Sequence, residues 1–161
     1  MPGREKKPRS LMMRGIDALS RREYSRLELY RKLMRTLTEG ETADDVIAVL
    51  DDLQAKGYLS DERYAEGRVR VRSMRYGNRR VAQELRQQGV DADAITAAME
   101  QTEPEIDRAR AVWQRKFGEA PADYKEKARQ IRFLAARGFS FDVISKILSE
   151  AGSSADEDDF S

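Results

Sequence analysis

The 161 residues contain no cysteine and no histidine. Without cysteine there is neither a disulfide framework nor a thiolate metal site. Without histidine there is no imidazole ligand, no Ser-His or Cys-His nucleophile pair and no physiological-pH switch. Catalysis would fall to carboxylates, lysine, tyrosine or serine alone, so the sequence points away from an enzyme and from any metal or cofactor. Only four prolines occur, which leaves long stretches free of the strongest helix breaker. No window nears the roughly 20 apolar residues of a membrane span, and no apolar run follows the basic N-terminus. A soluble, cytoplasmic protein is expected.

What is present is charge. Charged residues make up 37% of the chain against 40% hydrophobic, and mean hydropathy is −0.75. The net charge is only +1, but it is spread unevenly. Residues 39–52 carry Glu39, Glu41, Asp44, Asp45, Asp51 and Asp52 with no basic residue. Residues 61–90 carry eight arginines against four acids. The head PGREKKPR is basic and the tail from Asp156 to Asp159 acidic. Such segregation can steer a charged partner, phosphate backbones included. A merely solvated helical surface would look the same.

Apolar spacing is helical nearly throughout, and no alternating strand pattern appears. Ser25 and Glu28 have capping-box spacing, with Tyr24 and Leu29 placed as a hydrophobic staple. Gly57 closes a helix over about 43–56. Ser60 caps the next, whose first turn carries Asp61 and Glu62 at the positive end of the dipole. That helix is expected to reach Arg75, where Tyr76-Gly77-Asn78 breaks it. Helices over about 79–88, 91–101, 104–117, 124–137 and 141–150 follow, with capping-box spacing again at Asp123 and Glu126.

QQGVDADAITAAM and ARGFSFDVISKIL share one skeleton 49 positions apart. Each has a glycine (Gly89, Gly138), an apolar residue (Val90, Phe139), a cap (Asp91, Ser140), an aspartate (Asp93, Asp142) and an apolar pair four apart. Gly40, Thr42, Asp44, Val46 and Leu50 give a third copy, with Glu41 in the apolar slot. The fold class is therefore all-α, three tandem three-helix repeats. Repeat 1 spans 11–58, repeat 2 spans 59–102 and repeat 3 spans 103–151, between disordered tails at 1–10 and 152–161. A unit this small is marginal alone, so neighbours should stack.

Other readings fit less well. The final helix of each unit could follow a helix-turn-helix pattern, but DADAITAAMEQT and DDVIAVLDDL carry acids where base readers need Arg, Asn or Gln. Trp113 shares helical spacing with Ala109, Val112 and Phe117, as core does. Tyr24, Tyr58 and Tyr64 read as amphipathic seam residues. The repeat glycines are too scattered to be a phosphate loop.

LSRREYSRLELYRKL (19–33), KGYLSDERYAEGRVRVR (56–72), RRVAQELRQQGVD (79–91) and KARQIRFLAARGF (127–139) resemble, in order, the blocks of the RecX family, regulators of the RecA recombinase. The turn before RRV is shorter here and lacks that family's proline. The resemblance spans about residues 11–150. It implies an elongated, curved array that binds along the groove of the RecA nucleoprotein filament. There it would inhibit filament extension, ATPase, strand exchange and coprotease activity, with at most weak binding to single- or double-stranded DNA and a monomeric state. A DNA-binding repeat protein competing with RecA for DNA is the alternative.

The candidate binding surface comprises Arg63, Arg68, Arg70, Arg72, Arg75, Arg79, Arg80 and Arg86, with Lys125, Arg129 and Arg132 on the last repeat. At 100° per residue, Arg68, Arg72 and Arg75 form a ribbon, bordered by Tyr64 and Val71 on one side and Ala65 and Val69 on the other. The competing expectation is that these stems cover a seam and pair with Glu62, Glu66 or Glu84. Lys125, Arg129 and Arg132 have the spacing of an ordinary outer face.

Overall fold

A computed structural model describes the backbone of residues 9–158 and the side chains of residues 9–153. Among the described residues there are nine helices and no strand. They are α1 (Leu11–Arg21), α2 (Arg26–Met34), α3 (Ala43–Ala55), α4 (Asp61–Arg72), α5 (Asn78–Gln87), α6 (Ala92–Glu100), α7 (Glu105–Lys116), α8 (Tyr124–Ala136) and α9 (Phe141–Asp158). No described helix is long and apolar enough to cross a membrane.

The starts follow the capping chemistry. Glu28 N–H donates to Ser25 Oγ while Ser25 N–H donates to Glu28 Oε1, both at 3.1 Å. Thr42 and Asp45 form a second reciprocal box at the start of α3. Asp91 and Ser140 cap α6 and α9 through the backbone N–H of Ala94 and Val143. The ends follow glycine: Gly40, Gly89 and Gly138 sit at φ of +85°, +79° and +89° between the second and third helix of each unit. L side chains avoid that region.

The main helix pairings all fall within a unit, joining α1 with α2 and α3, α4 with α5 and α6, and α7 and α8 with α9. Three separate clusters of buried side chains result. Leu29, Leu33, Val46, Leu50 and Leu53 centre the first, Val69, Val81 and Leu85 the second, and Trp113, Leu134, Ile144 and Ile147 the third. Leu59, placed at the head of the second repeat by the sequence, packs into the first core. Each fully buried leucine contributes about 2 kcal/mol.

Close backbone approaches, with side-chain bonds beside them, join the units. The N-terminus of each middle helix meets the glycine turn of the following unit. Gly89 lies so close to Leu27 at the start of α2 that a methyl there would be 2.8 Å from Leu27 Cβ. Gly138 abuts Arg80 at the start of α5 in the same way, 2.8 Å from its backbone N. Gly40, by contrast, has nothing within 4 Å of such a methyl. The exposed N–H groups of those helix starts are satisfied from across the junction. Arg26 N–H donates to Asp61 Oδ1 at 2.7 Å, and Gly77 N–H to the Arg137 carbonyl at 2.8 Å.

Two helix ends depart from the sequence reading. Helix α4 stops at Arg72, not Arg75, because the following carbonyls of Ser73 and Tyr76 accept from the Arg108 guanidinium (3.0 and 3.1 Å) instead of a further helical turn. Helix α9 continues to Asp158, where a disordered tail was expected from residue 152. A lone glycine (Gly152) costs about 1 kcal/mol and does not stop a helix already anchored by Ile144, Ile147 and Leu148. The tail residues 1–8 and 159–161 lie outside the described residues.

Trp113 is core, as its spacing indicates, and its indole N–H donates to the buried Gln130 Oε1 at 2.8 Å. Gln130→Ala strands that donor and leaves a void, an expected loss of about 2–3 kcal/mol. Thermal melting followed by Trp113 fluorescence checks this.

Candidate functional site

The structure divides the predicted basic residues into two groups. Arg63 Nε donates to Glu23 Oε1 at 2.9 Å and its Nη2 to the Tyr58 carbonyl at 3.1 Å, bridging the first and second units. Arg72 clasps Glu84 with two hydrogen bonds of 3.0 and 2.6 Å and lies 4.2 Å over the Tyr76 ring. Arg80 reaches Glu84 at 3.6 Å, donates to the Ala136 carbonyl at 3.2 Å and covers Tyr76 at 4.0 Å. Their heads are engaged in holding helices and units together, as the competing expectation of pairing with Glu84 had it for Arg72. The carboxyl of Glu84 is held below its ordinary range, chiefly by the Arg72 hydrogen bond. Arg129 is the fourth engaged residue, 3.3 Å from Glu126 within one helix and exposed.

The others stay free. Arg68, Arg70, Arg75, Arg79, Arg86, Lys125 and Arg132 are exposed and make no side-chain hydrogen bond or ion pair with a described residue. The Arg68–Arg72–Arg75 ribbon is thus broken at its middle, since Arg72 turns to Glu84. Its apolar border is also different in kind. Tyr64, Ala65 and Val69 are buried in the second core, so they frame nothing outside it. Burial, with Glu28 beside it, pushes the Tyr64 hydroxyl up to about 12. Only Val71 is open, at 64%, as is Met74 at 64%. These two accompany the unpaired Arg70 and Arg75 on the outer side of α4 and its exit turn.

The junction of the second and third units gathers further cations that the sequence reading did not single out. Arg108, 7% exposed, donates to the carbonyls of Ser73, Tyr76 and Glu103 and to Asn78 Oδ1. It makes no ion pair with a described carboxylate, and burial holds its pKa below the usual value. Arg115 donates to the Met74 carbonyl at 3.2 Å. Arg137 lies 5.2 Å over Tyr76 and 5.0 Å over Phe133, whose ring Lys116 approaches at 5.3 Å. Arg75, Arg115, Lys116 and Arg137 line one cavity of about 350 Å³ with Val112 and Phe133. No i, i+4 spacing links Arg75, Arg115 and Arg137, so nothing local in the sequence groups them. Their shared position, in or just after the last turn of α4, α7 and α8, was the available signal.

The comparisons with known proteins bear on this arrangement of helical units. Residues 60–99 match the family description "RecX, second three-helix domain" and residues 103–148 match "RecX, third three-helix domain". Together these cover more than half of the chain. A Ralstonia nicotianae protein named "Regulatory protein RecX" is 44% identical over 155 residues, 96% of each chain. Its Leptothrix cholodnii namesake is 46% identical over 150 residues, covering 92% of this chain and 94% of the other. The crystal structure of RecX from Lactobacillus salivarius superposes with a TM-score of 0.71 at 20% identity, over 88% of this chain and 97% of the other. Helical architecture, domain matches and near full-length identity converge: the chain belongs to the RecX family of regulatory proteins.

Proposed function

We propose that this protein is a cytoplasmic, non-enzymatic negative modulator of the RecA recombinase. It lies in the groove of the RecA–DNA filament and hinders its extension, and with it the ATPase, strand-exchange and coprotease activities. The observation that carries this reading is the near full-length identity to proteins named "Regulatory protein RecX". The geometry supports it: stacked units suit a groove, and the unpaired arginines on α4 and α5 are available to acids or phosphates. Arginine is well fitted to both, through a planar fork of donors.

The purified protein is expected to slow RecA-driven ATP hydrolysis on single-stranded DNA well below one-to-one stoichiometry. Inhibition that vanishes when DNA is in large excess would instead favour simple competition for DNA. The same seven unpaired cations make that second reading worth testing. Changing Arg70, Arg75 and Arg79 together to Ala should weaken inhibition about tenfold or more, equivalent to at least about 1.4 kcal/mol of lost contact. None of the three is paired within the fold, so stability should stay within about 0.5 kcal/mol per site. Arg72→Ala should do the reverse, lowering stability through loss of its clasp on Glu84.

A further inference from the structure

Four cations meet where α4, α7 and α8 end. Arg75, Arg115, Lys116 and Arg137 line a single cavity of about 350 Å³, and no carboxylate lines it with them. None of the four forms an ion pair with a described residue. Arg14, Arg22, Arg26, Arg63, Arg72 and Arg110 each face an acid; the other unpaired cations are dispersed on outer faces, whereas these four share one cavity.

Helix ends explain part of the gathering. Each of the three C-termini contributes about half a negative charge, roughly −1.5 in all. Against four positive side chains that leaves an excess of about +2.5. The aromatic faces of Phe133 and Tyr76 hold Arg137 and Lys116 in place, yet a ring quadrupole neutralises no charge. Arg115 spends one donor on the Met74 carbonyl, and Arg75 spends none within the fold. Four like charges thus gather without a described counter-anion, two of them over aromatic faces and one tied to a backbone carbonyl.

We infer that this junction is a phosphate-binding site. Three guanidinium forks and one ammonium offer the bidentate and point-charge donors that tetrahedral phosphate oxygens take. The excess charge matches one phosphate dianion or two to three phosphodiester links. Val112 and Phe133 give the cavity an apolar wall for an attached sugar or base. Phosphate on a nucleic-acid strand and phosphate in a small soluble compound offer the same chemistry. The site goes beyond the recombinase reading and can be tested with no recombinase present.

The test uses the full chain at low salt with three probes: inorganic pyrophosphate, a single-stranded oligothymidylate and poly-L-glutamate. Arg75→Gln with Lys116→Gln removes two cations that are exposed and unpaired. Arg31→Gln with Arg35→Gln removes two comparable exposed cations from α2 and its C-cap, in the first unit, neither of which lines the cavity. Pyrophosphate should raise the melting temperature of the wild type and of the α2 variant, but not of the cavity variant. Oligothymidylate should bind the cavity variant about tenfold more weakly, with the slope of log affinity against log salt reduced by about 1.4. A pyrophosphate effect alone identifies soluble phosphate compounds as the source, and an oligothymidylate effect identifies a strand; each supports the site. Equal responses from the cavity and α2 variants would overturn it. So would poly-L-glutamate acting as strongly through Arg75 and Lys116, since that would make the surface an acidic-peptide site.

Discussion

Gly77→Ala should lower the melting temperature by roughly 6–12 °C, a loss of about 3 kcal/mol in a chain this size. The added methyl would fall inside contact distance of the Gly138 carbonyl and 2.5 Å from the Phe139 nitrogen. Both obstacles are backbone, so no rotamer change relieves them, and overpacking of this kind costs about 1–3 kcal/mol. The junction must open, and with it goes the hydrogen bond from Gly77 N–H to the Arg137 carbonyl. The glycines of the repeat supply an internal scale. Gly138→Ala combines a φ of +89° with collision against Arg80, so it should cost as much as Gly77→Ala. Gly40→Ala meets a similar φ of +85° but open space, and should cost only about 1–2 kcal/mol of backbone strain. Thermal unfolding by circular dichroism, with Trp113 fluorescence reporting the third unit, separates the cases. Equal losses at Gly40 and Gly138 would mean the units are not held by close backbone approach.

Arg108→Ala is the second change with a large expected effect, about 3 kcal/mol or more. Its guanidinium ties the carbonyls of Ser73 and Tyr76, after α4, to Asn78 at the start of α5 and to Glu103 before α7. Hydrogen bonds to charged groups contribute about 1.5–3 kcal/mol each, and an unsatisfied buried carbonyl costs about 1–3. Against this stands the burial of a charge that makes no direct ion pair with a described carboxylate; burial lowers its pKa, with Glu105 and Glu103 offsetting only part of that, so the sum of the bonds overstates the net. Arg108→Lys should recover only part of the loss, because one ammonium cannot span acceptors lying in several directions. Hydrogen exchange at the end of α4 and the start of α5 should accelerate more than exchange in α1–α3. Uniform acceleration across the chain would show that Arg108 supports the whole array instead of one junction.

What the sequence made legible is what acts locally. Ser25 with Glu28, Thr42, Asp91 and the glycines at 40, 89 and 138 place helix boundaries through neighbours a few residues away, and each does so in the structure. The order of the family blocks identified the fold. The junctions were not legible, because their partners are far apart in the chain. Gly77 reads as a helix break, and only the position of Gly138, 61 residues on, shows that it is also a contact. Arg108 sits in EIDRAR and looks like one more solvated charge. Arg72 and Glu84 lie on different helices, so helical spacing grouped Arg72 with Arg68 and Arg75 when its head turns the other way. The candidate surface named from sequence mixes arginines that stay unpaired with arginines that serve the scaffold, since composition does not distinguish a paired guanidinium from an open one.

We propose that stacked helical units, set at fixed junctions, present a basic face that restrains a RecA filament. The most direct measurement is RecA-driven ATP hydrolysis on single-stranded DNA, titrated with wild type and with Gly77→Ala, at a temperature where circular dichroism shows both to be helical. The account predicts inhibition by the wild type well below equimolar protein, and at least about tenfold weaker inhibition by the variant whose second and third units no longer seat together. No inhibition by the wild type even at one-to-one, or full inhibition by the variant, would contradict it.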